Sequence, residues 1–237
     1  LPPMHAFAAA TTYPARYINQ RKLGAIAPGY HADFMILDDF SVFPPRQVYV
    51  SGKCVAANGE MLNTIPHTQP EIPHYPPLTW EVSLDLFRIA DAGVHETKTM
   101  PVVALQTKHT TLTRLASAEI ELQDGFPVFA KGDDLAITAI LARDGKTHFA
   151  GLIRGTGFTE GAFASTVSHD CHNLIVIGRD PGAMAVAARR IHELGGGGVV
   201  TRKDHVIAEL DLPYFGLLSN GEVHEVAVGM ESIQQQL

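Results

Sequence analysis

The sequence lacks three features that would each assign it to a class of protein. No apolar run approaches the roughly 20 residues that a helix needs to cross a bilayer. No basic segment followed by an apolar one marks a secretion signal. Lysine and arginine form no cluster and the formal net charge is −7, whereas phosphate binding needs concentrated positive charge. We therefore expect neither a membrane nor a nucleic acid as a partner.

Cysteine is also scarce. The two thiols, Cys54 and Cys171, lie far apart and match no zinc-binding spacing. So few cysteines suit a reducing compartment, in which disulfides are not maintained. The cysteine count thus predicts a cytoplasmic protein without structural disulfides.

What is present is the composition of a globular protein with a substantial core. Apolar residues make up 46% of the 237 positions and charged residues 18%, which excludes a disordered chain. This length supports one large domain or two modest ones. A run rich in proline, residues 64–78, is predicted to be a linker because it can neither pair in a sheet nor continue a helix.

The region before this linker divides into two parts. Residues 1–22 are predicted to be helical in two pieces, the second starting at Pro14. Residues 23–63 carry short strand patterns and an Asn58-Gly59 hairpin turn, which indicate a small antiparallel unit. The chain opens on Leu1 inside an alanine-rich helical pattern, so we expect it to be the C-terminal part of a longer protein.

Residues 79–237 are predicted to form a separate α+β domain of antiparallel strands with helices late in the chain. Turn signals at Asp124-Gly125 and Asp144-Gly145 each separate two strand patterns. The mixed-charge tip around Arg143 is predicted to be solvated.

Two helices are predicted near the end of this domain. Asp180 caps the first and Gly195 stops it. The rest of the glycine run, residues 196–198, is predicted to be a flexible connector rather than a phosphate-binding loop, because it follows a helix instead of preceding one. Ser219 and Glu222 stand in capping-box register before the last helix.

The densest polar cluster, residues 168–173, reads Ser-His-Asp-Cys-His-Asn and lies between two apolar runs. It is predicted to be the loop between two buried strands, where binding and catalytic groups are common. Catalytic candidates are His169 and His172, which could orient a substrate, move a proton or ligate a metal, and Asp170, which could fix an imidazole tautomer.

Ser168 and Asn173 are the candidate substrate-binding residues of the same cluster. Three interpretations stay open at this point. The side chains satisfy one another and the turn backbone, or they line an active site, or they form a self-contained metal site. The last would need three or four ligands, and only two histidines and an aspartate are local. We therefore assign no metal ligand.

Two groups of segments resemble known families. Residues 23–29 (Leu-Gly-Ala-Ile-Ala-Pro-Gly), 32–38 and the hairpin at 48–62 resemble the end of an amidohydrolase-superfamily chain. In that superfamily the last barrel helix gives way to a small β-sandwich. Residues 161–178, the glycine run and Leu-Pro-Tyr-Phe-Gly-Leu at 212–217 resemble the C-terminal domain of bacterial adenine deaminases.

These resemblances imply a fold. Residues 1–22 would be the last helix of a (β/α)8 barrel, residues 23–63 part of a β-sandwich, and residues 79–237 the additional α+β domain. They also imply a homo-oligomeric hydrolase that acts on a cyclic amidine C–N bond, converting adenine or a related small purine with a divalent metal. That metal, Mn, Fe or Zn, would lie in a barrel upstream of Leu1, so this chain alone would hold none and be inactive.

Two positions depart from the family pattern. Cys171 stands where relatives usually have serine, and the stretch 141–144 stands where a Glu-Arg-His triplet is typical. The second departure bears on substrate choice. Two other hypotheses therefore stay open: a non-catalytic capping or oligomerisation module of an amidohydrolase with another substrate, and an autonomous metal-binding domain.

Overall fold

The computed structural model describes residues 2–63, 79–105, 112–168 and 170–237. The chain divides into two compact units, Leu1–Gln69 and Pro70–Leu237. The predicted linker, residues 64–78, lies outside the described residues. Both units combine helices with sheets, and strands dominate the second unit, which confirms the prediction of a mixed α and β fold. Within the described ranges, no helix is both long and apolar enough to cross a membrane.

The first unit has two short helices and one sheet. The helices are α1 (Pro3–Ala10) and α2 (Thr12–Tyr17), and the strands are β1 (Phe34–Ile36), β2 (Gln47–Val50), β3 (Lys53–Ala57) and β4 (Glu60–Met61). The strands pair antiparallel in the order β1-β2-β3-β4. Asn58 and Gly59 join β3 to β4 with φ of 54° and 86°, as a two-residue hairpin requires.

The predicted start of the second helix at Pro14 is wrong by two residues, because α2 begins at Thr12. A proline is tolerated throughout the first turn of a helix, where its missing N–H needs no helical partner.

The second unit is built on one large sheet. Its strands are β5 (His95–Leu105), β6 (Thr113–Gln123), β7 (Phe126–Val128), β8 (Leu135–Leu141), β9 (His148–Arg154), β10 (Ala162–Ser165), β11 (Leu174–Gly178), β12 (Gly197–Arg202) and β13 (His205–Asp211). The order is β13-β12-β10-β11-β8-β9-β5-β6-β7. All neighbours pair antiparallel except β5 and β9, which are parallel. The predicted antiparallel character is confirmed, with this one exception.

Helix α3 (Pro181–Leu194) covers one face of this sheet. The Asp180 carboxylate accepts hydrogen bonds from the N–H groups of Gly182 and Ala183, and Gly195 ends the helix with φ of 79°, as predicted. Met184 and Ile191 are completely buried against the sheet. Burying side chains of this size contributes about 1.5–3 kcal/mol each, so α3 completes the core of this face.

Helix α4 (Val223–Gln236) lies beside β13 and β12 near the end of the chain. The predicted capping box is displaced by three residues, because Glu222 and Glu225 form it instead of Ser219 and Glu222. The Ser219 hydroxyl accepts from the N–H of Gly221 and so stabilises a turn that delays the helix. None of the residues of α4 is buried.

The glycine run is not a flexible connector. Gly197 and Gly198 already belong to β12, and both are buried. A Cβ on Gly197 would lie 1.9 Å from the carbonyl oxygen of Leu210, and one on Gly196 would lie 2.6 Å from Gly216 Cα. The glycines are needed because neighbouring backbone approaches them closely.

An ion pair joins α3 to the edge strand β13. Arg190 donates to both carboxylate oxygens of Glu209, at 2.7 and 2.8 Å, and this lowers the pKa of Glu209. Because the pKa of Glu209 is lower in the folded than in the unfolded protein, the ion pair stabilises the fold at pH values above the unfolded-state pKa of about 4.3. This stabilisation is lost as the pH falls through the folded-state pKa.

Glu209→Gln should therefore destabilise the protein at pH 7 by about 0.5–1 kcal/mol, the usual range for an exposed pair. Thermal unfolding of both proteins between pH 2.5 and 7 measures the effect, with exposed Glu231→Gln as the control. The difference from the parent protein should shrink toward zero at the acid end, and a difference independent of pH would contradict this account.

Candidate functional site

The predicted polar cluster lies in a loop at one end of the large sheet. Strands β10 and β11 pair from Ala162–Gly178 to Ser165–Ile175, and residues 166–173, which we call the polar loop, connect them. The prediction of a loop between two buried strands is confirmed. His169 lies outside the described residues.

Thr166 anchors the polar loop, and sequence reasoning missed it. The residue is fully buried. Its hydroxyl accepts from the N–H of Gly197 at 2.7 Å and donates to the carbonyl of Gly216 at 2.8 Å. Its own N–H donates to the carbonyl of Gly197 at 3.0 Å. One side chain therefore links the polar loop to the start of β12 and to the chain after β13.

The segment after β13, residues 212–218, folds back over the same end of the sheet. The N–H groups of Leu217 and Leu218 both donate to the carbonyl of Tyr214, at 3.0 and 3.1 Å. Phe215 and Gly216 have φ of 57° and 75°. A Cβ on Gly216 would lie 2.7 Å from Thr166 Oγ1, so only glycine permits this approach.

His172 joins the polar loop to this segment. Its Nδ1 lies 2.8 Å from the carbonyl oxygen of Phe215. Because a carbonyl only accepts, the contact places a proton on Nδ1 and leaves the lone pair of a neutral ring on Nε2. The backbone of His172 has φ of 55°, a conformation in which histidine is enriched among non-glycine residues. The arrangement fixes one tautomer of His172 through a backbone carbonyl.

Asn173 and Arg143 hold the other end of the polar loop. The Asn173 side-chain oxygen accepts from the backbone N–H of Arg143 at 3.2 Å, and the Arg143 guanidinium donates to the carbonyl of His172 at 3.4 Å. The prediction that Arg143 is only solvated is therefore wrong. The charged residues around Arg143 indicated only an exposed turn. They could not show that this turn contacts the polar loop, which lies about 30 residues later in the chain.

Ser168 and Cys171 contact each other across the tip of the polar loop. Ser168 Oγ lies 3.0 Å from Cys171 Sγ, and the carbonyl of Ser168 accepts from the N–H groups of Cys171 and His172. The Ser168 hydroxyl, followed by the Asn173 N–H, lowers the pKa of the exposed Cys171 thiol. Asp170 is exposed.

The thiol of Cys171 should accordingly be more reactive than an ordinary one. In a Cys54→Ser background, iodoacetamide should alkylate Cys171 with a midpoint pH below the usual value of about 8.5. Ser168→Ala should raise that midpoint, because it removes the strongest interaction with the thiolate. Alkylation followed by mass spectrometry from pH 6 to 10 measures both, and an unchanged midpoint would contradict the hydrogen bond.

The described part of the chain brings together no group of three or more histidine, cysteine, aspartate or glutamate side chains that could hold a metal. The described residues therefore do not supply a ligand set for the divalent metal that the family implies. The described residues of the polar loop offer His172 in one tautomer, the Cys171 thiol with its lowered pKa, and exposed polar groups.

Two family models match the chain. The model of the adenine deaminase C-terminal domain matches residues 110–237, and that of the amidohydrolase family matches residues 1–55. The first covers the polar loop and the segment 212–218. The second covers most of the first unit.

Individual relatives agree with these matches. The chain is 35% identical to an adenine deaminase of Kosmotoga olearia, over 95% of this chain and 39% of that protein. It is 36% identical to adenine deaminase 2 of Rhizobium meliloti, over 97% and 38%. For an adenine deaminase of Methanothermobacter thermautotrophicus the identity is 34%, over 98% and 42%.

The chain thus spans about two fifths of the length of these curated relatives. The resemblance of both parts of the sequence is confirmed, since relatives of one name align along nearly all of it. Because the C-terminal-domain model alone matches more than half of the residues, the chain belongs to the adenine deaminase C-terminal domain family.

Proposed function

We propose that this chain is the C-terminal part of a metal-dependent enzyme that hydrolyses adenine to hypoxanthine and ammonia. The observation that carries the proposal is the contact between His172 Nδ1 and the Phe215 carbonyl. It joins residues 161–178 to residues 212–217, the two segments that resemble the adenine deaminase C-terminal domain. An imidazole held in one tautomer presents a defined acceptor nitrogen, which suits it to proton transfer. The names of the relatives support adenine as the substrate.

The reaction defines what the polar loop can contribute. Water adds to the ring carbon that bears the amino group, the C–N bond breaks, and the leaving nitrogen must gain a proton to depart as ammonia. In this proposal His172 Nε2 accepts or returns that proton, or holds the purine by a hydrogen bond. Ser168 and Asp170 offer further polar contacts, and His169 is proposed as a second imidazole of the same loop. Asn173 positions the loop through the backbone N–H of Arg143 instead of contacting the substrate.

The proposed organisation of the intact protein follows the same reasoning. Residues 1–22 end the barrel, residues 23–63 form part of its β-sandwich, and residues 64–78 link it to the domain at 79–237, which carries the polar loop. The divalent metal, manganese, iron or zinc, supplies an activated water when bound and belongs to the barrel. The low cysteine count supports a cytoplasmic enzyme, and the resemblance to the family supports a homo-oligomer.

The test is deamination by the intact protein, with the barrel present. Adenine should yield hypoxanthine and ammonia in equal amounts. Guanine and cytosine are assayed in parallel as comparison substrates. The 237-residue chain alone, supplied with manganese, should release no ammonia. An intact enzyme that deaminates another base and leaves adenine untouched would refute the assignment of the substrate.

One observation favours a second role for the same domain. The sheet face opposite α3 carries exposed apolar side chains, among them Phe149 and Ile140, and such a face suits oligomerisation. This role and catalysis are compatible, because the polar loop lies at the strand ends whereas that face lies along the strands.

A further inference from the structure

A cavity of about 780 Å³ opens at the end of the large sheet that lies away from the polar loop. Gly161 before β10, Arg179 after β11 and Arg202 at the end of β12 all line it. The polar loop joins the opposite ends of β10 and β11. The four residues of β10 separate the two places by about 10 Å. The cavity is therefore distinct from the polar loop.

Arg179 is held in the wall of this cavity by neutral groups. Its guanidinium donates to the carbonyls of Asp133 and Ala130, at 2.7 and 3.0 Å, and its Cζ lies 4.7 Å from the centre of the Phe129 ring. A guanidinium has five N–H donors, and in the described part of the chain these two carbonyls are the acceptors of its hydrogen bonds. The fold thus fixes the position of a cation whose charge is not neutralised and whose other donors are available.

Three more cationic side chains line the cavity, namely Lys131, Arg202 and Lys203. The sequence shows no basic cluster because positions 131, 179 and 202–203 lie far apart along the chain, and only the fold brings them together. Lys131 and Lys203 are exposed. Four cations around one cavity stand out in a chain of net charge −7, and a concave surface with such a surplus concentrates anions.

The carboxylates near the cavity do not cancel this surplus, because each already has a partner. Of the two in the lining, Glu160 lies 2.8 Å from Arg202, and Asp180 accepts the hydrogen bonds that cap α3. Three others on adjacent turns bind the N–H groups of Ala130 and Gly157 or contact His205; they are Asp133, Asp134 and Asp204. Among the residues that the structure describes, the other three cations of the lining therefore form no ion pair.

One wall of the cavity is apolar and consists of Pro127, Phe129 and Ala130. A volume of about 780 Å³ lies within the range of roughly 300–1,000 Å³ that is usual for small-molecule sites. Such sites combine apolar walls with a few placed polar groups. The cavity therefore suits an organic molecule that carries an anionic group better than it suits an inorganic ion.

We propose that this cavity binds a small organic phosphate monoester, with the phosphate against Arg179, Lys131 and Lys203 and the organic part against the apolar wall. A phosphate monoester carries a charge of about −1.5 to −2 at pH 7 and three strong acceptor oxygens, so it can meet several separated cations at once. The planar guanidinium matches the geometry of phosphate oxygens. The inference does not depend on the proposed function, because adenine carries no phosphate.

Isothermal titration calorimetry with phenyl phosphate as the probe tests the proposal. The 237-residue chain should bind one molecule per chain with a Kd below about 1 mM, and the intact protein should do the same. Inorganic phosphate lacks the organic part and benzoate carries a single charge, so each should bind at least about 10-fold more weakly. Added salt should weaken the binding of phenyl phosphate, because the contacts with the lysines are exposed.

Variants of the two lysines test where the probe binds. The double variant Lys131→Gln, Lys203→Asn should raise the Kd about 10-fold, as expected for the loss of two exposed ionic contacts. Asparagine is chosen at position 203 because the backbone there has φ of 56°. The lysines are chosen over Arg179 because Arg179 also supports the fold. Lys53→Gln, at an exposed lysine of the first unit, is the control and should leave the Kd unchanged.

Three results would overturn the proposal. One is the absence of binding at phenyl phosphate concentrations up to about 10 mM, ten times the largest Kd expected. Another is an equal Kd for the double variant and for Lys53→Gln, with circular dichroism showing that both are folded. The third is inorganic phosphate that binds as tightly as phenyl phosphate, because the ligand would then not be an organic molecule.

Discussion

Replacing Thr166 with valine should lower the free energy of unfolding by about 3 kcal/mol, because a buried backbone donor is left without a partner. The Thr166 hydroxyl accepts from Gly197 and donates to Gly216 while fully buried. Valine has nearly the same shape, so the loss is one of hydrogen bonding rather than packing. Thermal unfolding should show a decrease in Tm of roughly 6–12 °C for a unit of this size.

Two further variants separate the hydroxyl from other effects. Thr166→Ser keeps both hydrogen bonds and should cost about 1 kcal/mol, close to the loss of one methyl group. Thr138→Val changes another buried threonine for which the described structure shows no side-chain hydrogen bond, and it should be nearly neutral. Equal destabilisation by Thr166→Val and Thr138→Val would show that Thr166 does not anchor the polar loop in the way described.

The second large effect is expected on turnover. His172→Asn in the intact enzyme should lower kcat for adenine by about 100-fold, the smaller end of what a positioned acid or base contributes. Asparagine is chosen because it tolerates the positive φ of this position. The lost contact with Phe215 should cost about 1 kcal/mol, or roughly 2–4 °C in Tm, so the protein stays folded at the assay temperature.

The matched control is His205→Asn, the same substitution at a side chain that is 80% exposed on β13. It should change neither kcat nor Tm. A polar loop that serves only the fold or the oligomer predicts the same small decrease in Tm for His172→Asn but an unchanged kcat. The value of kcat therefore distinguishes a site from a structural turn.

The sequence predicted those features that depend only on residues close together in the chain, such as helix caps and tight turns. Asp180, Pro181 and Gly195 bound α3 as expected, since capping depends on a few neighbouring residues. The turns at Asn58-Gly59, Asp124-Gly125 and Asp144-Gly145 also lie where they were predicted. In the same way, the polar loop could be placed between two strands from its flanking apolar runs.

Features that depend on distant partners could not be predicted. Strand β5 was not predicted, because Pro101 interrupts its strand pattern. The proline is compatible with the strand because the parallel pairing with β9 begins only at Val102. Thr166 reaches partners 31 and 50 residues away, and no spacing rule covers such distances. The contact between His172 and Phe215 was likewise invisible, although both segments had been singled out by their resemblance to one family.

The most direct test of the central claim is a crystal structure of the intact enzyme with its metal and a purine bound. The claim is that the polar loop, held by Thr166 and Phe215, lines the pocket in which adenine reacts. We predict His172 Nε2 within hydrogen-bond distance of the purine or of the water that attacks it, about 2.6–3.2 Å. A polar loop separated from the bound purine by bulk solvent would contradict the claim.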